Sequence, residues 1–176
     1  MSSATLTRVD RARFREAMSL FASGVAIVTV RDRHSAAHGF TATSFSSVSA
    51  EPPLVLVCLA KTASCHRAFA EADGFAVSIL RVEQKGMATR FATSGTNKFA
   101  SGGFVFTSAG LPVVDGALAT LDCTVHDRHD AGDHTILIGW VHEAHTGRLD
   151  HARPAVYFGR RFGQFHDDRT NVRGPT

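Results

Sequence analysis

Apolar positions along the chain change period several times, and each change predicts an element. Phe14, Met18 and Phe21 fall at i, i+4 and i+7 behind Asp10. That reads as one face of a helix with a carboxylate cap, and Gly24 is its natural stop. Residues 25–31 are rich in β-branched side chains and predict a strand, with a turn over 32–37. Residues 39–49, rich in Phe, Thr, Ser and Val, predict a second strand paired with the first. Pro52-Pro53 breaks the chain, and residues 54–59 (LVLVCL) predict a buried strand. A short helix follows over 63–72, ended by Asp73-Gly74. Then come a strand over 75–80 and a helix over 83–92 in which Gly86 is the weak point. Residues 94–103 (SGTNKFASGG) read as a glycine-rich loop. Residues 118–126 and 135–144 predict two long strands around a turn at Asp130-Ala-Gly-Asp133, and residues 155–158 a last short one. About six strands with two or three helices and mostly hairpin connections predict an α+β or mainly β fold. The simplest form is an antiparallel barrel, closed or partly closed, with helices packed against it. Helices do not follow strands one for one, which argues against a doubly wound parallel sheet. No repeat or linker divides the chain, so residues 9–165 are expected to form one domain, with 1–8 and 166–176 as flexible ends.

Composition narrows the class. A chain of 176 residues suits one domain, and 44% hydrophobic with 20% charged residues suits a soluble globular protein. The longest strongly apolar run covers residues 52–60, well short of the roughly 20 residues a membrane span needs. Residues 1–15 hold no apolar signal core, so the expectation is a cytoplasmic protein with no membrane partner. Cys58, Cys65 and Cys123 are odd in number and lack a Cys-x-x-Cys spacing, which predicts reduced thiols. The net charge is +3, but arginines are interleaved with acids. Nucleic acid needs a dense basic footprint, which this chain lacks; a small anion needs only a few local cations.

The dinucleotide fingerprint, the phosphate loop and the nucleophile elbow are all absent. The richest polar cluster is residues 126–134 (HDRHDAGDH). His126, His129 and His134 could ligate a metal, but His126 and His129 would point to opposite faces of a strand, and a solvated hairpin is the plainer reading. His134 begins a strand after Gly-Asp, where its imidazole could be aimed into a pocket. Cys58 reads as a small core residue. Cys65 lies at a helix start, where a thiolate would be stabilised, yet no partner base is visible. Ala63, Ser64 and Cys65 at that start, with Lys61 before them, offer either an anion site or an ordinary capped helix. The hydroxyls and two phenylalanines of residues 39–49 suit a strand lining a polar aromatic ligand, or a plain edge strand. Arg90-Phe91 and Asn97-Lys98-Phe99 form a second basic element, solvated or part of the same site.

Taken in order, these pieces resemble the short-chain flavin reductases, the NAD(P)H:flavin oxidoreductases of two-component monooxygenases. The likeness runs over about residues 12–165. It is carried by FASGVAIVT (21–29), HGFTATSFSSVSAEPPLVLVCLAKTAS (38–64), FAVSIL (75–80), RFA (90–92), NKFA (97–100), LDCTV (121–125), GDH (132–134) and PAVYFGRRF (154–162). The chain looks most similar to the reductases that serve aromatic polyketide antibiotic pathways. The resemblance implies a flavin-reductase-like split β-barrel, antiparallel with Greek-key order and flanking helices, and a homodimer. It implies reduction of FMN or FAD by NADH and delivery of the reduced flavin to a separate monooxygenase. By motif, Thr41, Ala42, Thr43, Ser44 and Phe45 would lie along the isoalloxazine ring, and Cys58, Leu59 and Ala60 would meet it through backbone. Lys61, Ser64, Cys65, Arg90, Phe91 and Lys98 would surround the ribityl phosphate. His134 would face the nicotinamide as the catalytic residue, and Phe158, Gly159, Arg160 and Arg161 would help hold the nucleotide. No metal is implied. Two positions depart from the family: Cys65 stands where a Ser or Thr is usual, and Arg160-Arg161-Phe162 where Gly then Tyr is frequent. Three other readings are a non-catalytic flavin- or haem-binding barrel, an oxidase of a phosphorylated pyridine vitamer, and a metal-dependent hydrolase built on the histidine cluster.

Overall fold

Asp10 acts as the cap that the periodicity predicts. In the computed structural model, which describes residues 8–147 and 153–165, its carboxylate accepts from the amides of Ala12 and Arg13 at 2.9 and 3.0 Å and starts helix α1 (Arg11–Ser19). The helix stops at Leu20, not Gly24, which lies in strand β1 (Ser23–Gly24). The apolar face of α1 does not enter the core: Phe14, Met18 and Phe21 remain 55%, 51% and 69% exposed. Periodicity reports that a helix is one-sided, not which surface covers it. The flexible ends expected at 1–8 and 166–176 lie, apart from Arg8, outside the described residues.

A seven-stranded antiparallel sheet carries the molecule. Its strands are β2 (Ala26–Arg31), β3 (Ala37–Ala42), β4 (Ser46–Ala50), β5 (Pro53–Ala60), β6 (Gly74–Ile79), β9 (Ala119–Ala131) and β10 (His134–Thr146), in the order β3-β2-β6-β9-β10-β5-β4. The single strand predicted over 39–49 is in fact two. Its first half pairs with β2, with Thr41 opposite Ile27. After a break at residues 43–45 the second half pairs with β5, with Ser46 opposite Leu56. Hydroxyl-rich sequence alternates too weakly to mark such a break. The two edge strands of the sheet are therefore joined by three residues, and the sheet must curl to bring them together. The long hairpin β9–β10 turns through only Gly132 and Asp133, with Gly132 at φ +65°.

Smaller elements decorate this sheet. Helix α2 (His66–Glu71) is shorter than the predicted 63–72. The helix predicted over 83–92 divides into a 3-10 turn (Val82–Gln84) and helix α3 (Lys85–Ala92), with the side chain of Gln84 accepting from the Arg81 amide at 2.9 Å. Two pairings are absent from the sequence expectation. Strands β7 (Phe104–Phe106) and β8 (Pro112–Val114) form a short hairpin after the glycine-rich loop. Strands β11 (Ala155–Phe158) and β12 (Arg161–Gln164) add to β1 in a three-stranded sheet. Between β11 and β12 both turn residues, Gly159 and Arg160, take positive φ (55° and 63°), the requirement of a two-residue type I′ hairpin.

Strand β2 separates two cores, which is why its sequence is apolar without alternation. Val28 and Val30 face the inside of the curled sheet with Val57, Leu59, Phe75, Val77 and Leu137. Phe69 of α2 closes that space edge-on to Phe40, ring centroids 5.1 Å apart. Val25 and Ile27, on the other side, meet Leu80, Ala88, Phe91 and Val114 under α3. Gly39 permits this approach: a Cβ there would lie 2.8 Å from the Phe91 ring. Among the described residues no helix is long and apolar enough to cross a membrane.

Candidate functional site

Strand β3 connects two clefts of different character. At its C-terminal end, a cavity of about 440 Å³ opens between α1, the break at 43–45 and the β11–β12 turn. Phe14, Met18 and Phe21 give it an apolar wall, Thr43 and Ser44 its floor, and Tyr157 and Arg160 its far side. The amide of Gly159 donates to the carbonyl of Ser19 at 2.7 Å, so the end of α1 is pinned to that turn. The exposed face of α1 is thus a cleft wall. Phe14, Met18, Phe21 and Tyr157 are not among the sequence-nominated residues; an amphipathic helix whose apolar face stays open is the signal that marks them, and it is visible only in three dimensions.

Toward the other end of β3 lies a polar cavity of about 160 Å³, lined by His38, Gly39, Ser64, Cys65, Asn97 and Lys98 among others. Lys98 Nζ donates to the carbonyls of Gly39 (3.0 Å) and Phe91 (2.7 Å) and sits 5.8 Å from the Phe91 ring centroid. Partial burial draws its pKa down. Burial likewise pushes the Cys65 thiol up, with the Lys98 charge acting in the opposite sense. Cys65 therefore stays a neutral thiol in neutral solution. Arg90 is half-buried, and its Nε is enclosed without a partner.

Not every nominated residue presents its polar group to a cleft. The Thr41 hydroxyl donates to the carbonyl of Ala88 at 2.6 Å, tying β3 to α3. Ala42 is buried, and Phe45 packs against the inner core. The Ser44 hydroxyl accepts from the Cys58 amide (3.0 Å) and donates to its carbonyl (3.3 Å), so both backbone groups of Cys58 already have a partner. Cys58 is half-buried rather than a core residue, because alternation along β5 turns Val55, Val57 and Leu59 inward and Leu56 and Cys58 outward. The Lys61 ammonium is held by both carboxylate oxygens of Asp130 at 2.8 Å. Residues 63–65, read as the start of an anion-binding or an ordinary capped helix, precede the helix instead. Helix α2 begins only at His66, has six residues and no side-chain cap, and the amides of Ala63 and His66 bond the carbonyls of Ala60 and Ala63.

His134 opens β10 opposite Ala60 of β5. Its Nδ1 donates to Asp133 Oδ1 at 2.7 Å, which holds the Asp133 carboxyl below the usual range. This bond fixes the ring and leaves Nε2 as the free edge. The rest of the histidine cluster does not converge. His129 pairs with Asp127 at 3.1 Å. Among the described residues no group of three or more His, Cys, Asp or Glu side chains is placed to hold a metal. Phe158 and Arg161 flank the Gly159-Arg160 turn and are exposed.

From Gly39 in the polar cavity to Thr43 in the apolar one is four residues of chain, about 13 Å at strand rise. An aromatic-walled cleft at one end and a cavity with a lysine and hydroxyls at the other fit a flat ring system carrying a phosphate tail.

Comparison with known proteins finds the model of the flavin reductase like domain matching residues 18–166. A protein named actinorhodin polyketide dimerase, from Streptomyces coelicolor, is 50% identical over 153 residues, 87% of this chain and 85% of that one. An NADH:riboflavin 5'-phosphate oxidoreductase of Streptomyces pristinaespiralis is 45% identical over 154 residues, again 87% and 85% of the two chains. Among solved structures, the NADH:FAD oxidoreductase of Streptomyces globisporus in complex with NAD and FAD fragments superposes with a TM-score of 0.83 at 36% identity, covering 90% of this chain and 94% of that one.

Proposed function

This chain belongs to the flavin reductase like family, and from that membership we propose that it is an NADH-dependent flavin reductase, taking FMN or FAD and supplying the reduced flavin to a separate monooxygenase. The observation that carries the reading is β3 running between an aromatic-walled cleft and a cavity built around Lys98. Thr43, Ser44 and the wall of α1 would border the isoalloxazine ring; Ser64, Cys65 and Lys98 would hold the phosphate. The two nucleotides, bound together, would supply the chemistry themselves, a hydride transfer from the nicotinamide to the flavin. The protein's part is to place them and keep water out. His134, its ring locked by Asp133, offers Nε2 to the nicotinamide and orients it. Arg160 adds a guanidinium at the rim for the nucleotide phosphates.

The test is NADH consumption by purified protein without flavin, with FMN and with FAD. Consumption that requires added flavin and saturates in it supports the reading; none with any flavin, with NADPH as well, overturns it. His134→Ala is expected to raise KM for NADH by roughly tenfold, the scale of one lost hydrogen bond to a bound ligand, and to change flavin affinity far less. Equal NADH kinetics in variant and parent would remove the role assigned to His134.

The same proposal extends to architecture. Residues 9–165 form one split barrel with Greek-key order, supported by edge strands joined through three residues. The active species is a homodimer. Supporting this, the outer face of β5 and β10 sets Leu54 opposite Trp140, Leu56 opposite Ile138 and Cys58 opposite Ile136. Five of these six side chains are half-buried, and the sixth, Trp140, is 46% exposed. A stripe of that kind marks an association surface, and a two-fold partner pairs it with its own copy.

A further inference from the structure

The polar cavity around Lys98 does not end at the phosphate. A second cavity of about 270 Å³ adjoins it, and His38 and Ser64 line both. Its remaining walls come from the β2–β3 turn, with Asp32, Arg33 and His34, and from α2, with Arg67 and Glu71. Either cavity alone falls short of the roughly 300–1,000 Å³ of small-molecule sites, and the two joined reach it. The chemistry of the second cavity differs from that of the first. Arg67 gives its Nε to Glu71 at 2.8 Å, which leaves the outer edge of the guanidinium free to fork a phosphate. Arg33 lies close enough to act electrostatically on the same Glu71. Asp32 fixes the imidazole of His38 at 2.9 Å on the boundary between the cavities, a flat surface against which a base can stack. Asp32 is used within the turn, accepting from the His34 and Ala36 amides and from His38, whereas Glu71 bonds Arg67 through Oε1 and has Oε2 as an acceptor of the kind that holds a ribose hydroxyl.

Two guanidiniums, the Glu71 carboxylate and imidazole planes beyond a phosphate site are complementary to a nucleotide. We propose that this second cavity receives the adenosine phosphate end of FAD, so that the protein takes FAD in preference to FMN. The inference rests on the flavin reductase reading and adds to it a choice between its two flavins.

The experiment measures dissociation constants for FMN and FAD by flavin fluorescence, and steady-state kinetics with each, for the parent, Arg67→Ala and Arg33→Ala/Arg67→Ala. The parent is expected to bind FAD at least about tenfold more tightly than FMN, one charge-assisted bond's worth. The double substitution is expected to remove most of that ratio, and Arg67→Lys to restore part of it. ADP is expected to compete with FAD for the parent. If FMN is reduced but the FAD-to-FMN ratio is near one, or does not move with the substitutions, the proposal fails while the reductase reading stands. If instead KM for NADH rises with FMN as acceptor, the cavity serves the nicotinamide dinucleotide and the proposal is overturned. If neither flavin is bound or reduced, the underlying reading fails first.

Discussion

Phe69→Ala is expected to cost the fold about 3–5 kcal/mol, the usual price of an aromatic-to-alanine change in a core. Phe69 is 1% exposed and is the side chain by which α2 plugs the curled sheet. A six-residue helix has no stability of its own, because its nucleus costs more than its few hydrogen bonds return. Packing of Ala68 and Phe69 therefore keeps α2 in place. The neighbouring β9 helps through Arg128, which donates from Nη2 to the carbonyl of Phe69 at 3.3 Å. Losing the ring removes the edge-on contact with Phe40 as well, about 0.5–1.5 kcal/mol beyond area alone. Against a typical total of about 5–15 kcal/mol, the substitution takes a large share. Urea unfolding of the parent and variant measures it. A loss under about 2 kcal/mol would mean that the sheet closes without α2. Because Ser64 and Cys65 lie just before this helix, flavin affinity is expected to fall with stability.

In the proposed homodimer, Ile138→Glu is expected to give a monomer and to lower flavin turnover by more than about tenfold, since one buried carboxylate without a partner costs several kcal/mol per interface. Ile138 faces outward opposite Leu56, in the middle of the apolar stripe. In an isolated chain the new carboxylate meets water, so the fold itself is expected to survive. Sedimentation gives the mass, and Cys58 gives an independent readout. It is half-buried on the same stripe, whereas Cys65 and Cys123 are buried in the inner core and burial pushes the Cys123 thiol up to about 12. A maleimide is expected to react slowly with the parent and to modify Cys58 quickly in Ile138→Glu. A variant that keeps a dimer and full turnover would move the interface elsewhere, and a parent that sediments as a monomer would overturn the homodimer itself.

What the sequence shows of this fold depends on how local the cause is. Residues 26–31, 54–59 and the inner parts of the β9–β10 hairpin, predicted over 118–126 and 135–144, are visible because at least one face is buried or half-buried, and burial leaves its period in the chain; the exposed extension of β9 through residues 127–131 leaves none. The break at 43–45 is not, because it follows from which edge each half of a serine- and threonine-rich segment finds. The same division runs through the site. Ser64-Cys65 and Lys98 come from two separate segments, and the structure brings them to one cavity. Lys61 is tied to Asp130, 69 positions away, and that pairing leaves no mark in the sequence near either residue. Thr41 reads as a ligand-facing hydroxyl, yet its hydrogen bond goes to α3. The wall of α1 is the largest omission. Its pattern is identical for a helix that covers a core and for one that borders a cleft.

The turn at Gly159-Arg160 sets two demands against each other. Arg160 holds a left-handed backbone, at φ 63°, where a side chain with a Cβ costs of order 1 kcal/mol relative to glycine. An engineer optimising for heat resistance would replace it first, and the backbone would welcome the change. The same replacement would strip one of the two guanidiniums, the other being Arg15 on α1, from the described lining of the cleft that holds Thr43 and Tyr157. Thermostabilised descendants of this chain chosen without a turnover screen would be expected to drift toward glycine there, gaining robustness while losing the hold on an anionic dinucleotide proposed for Arg160.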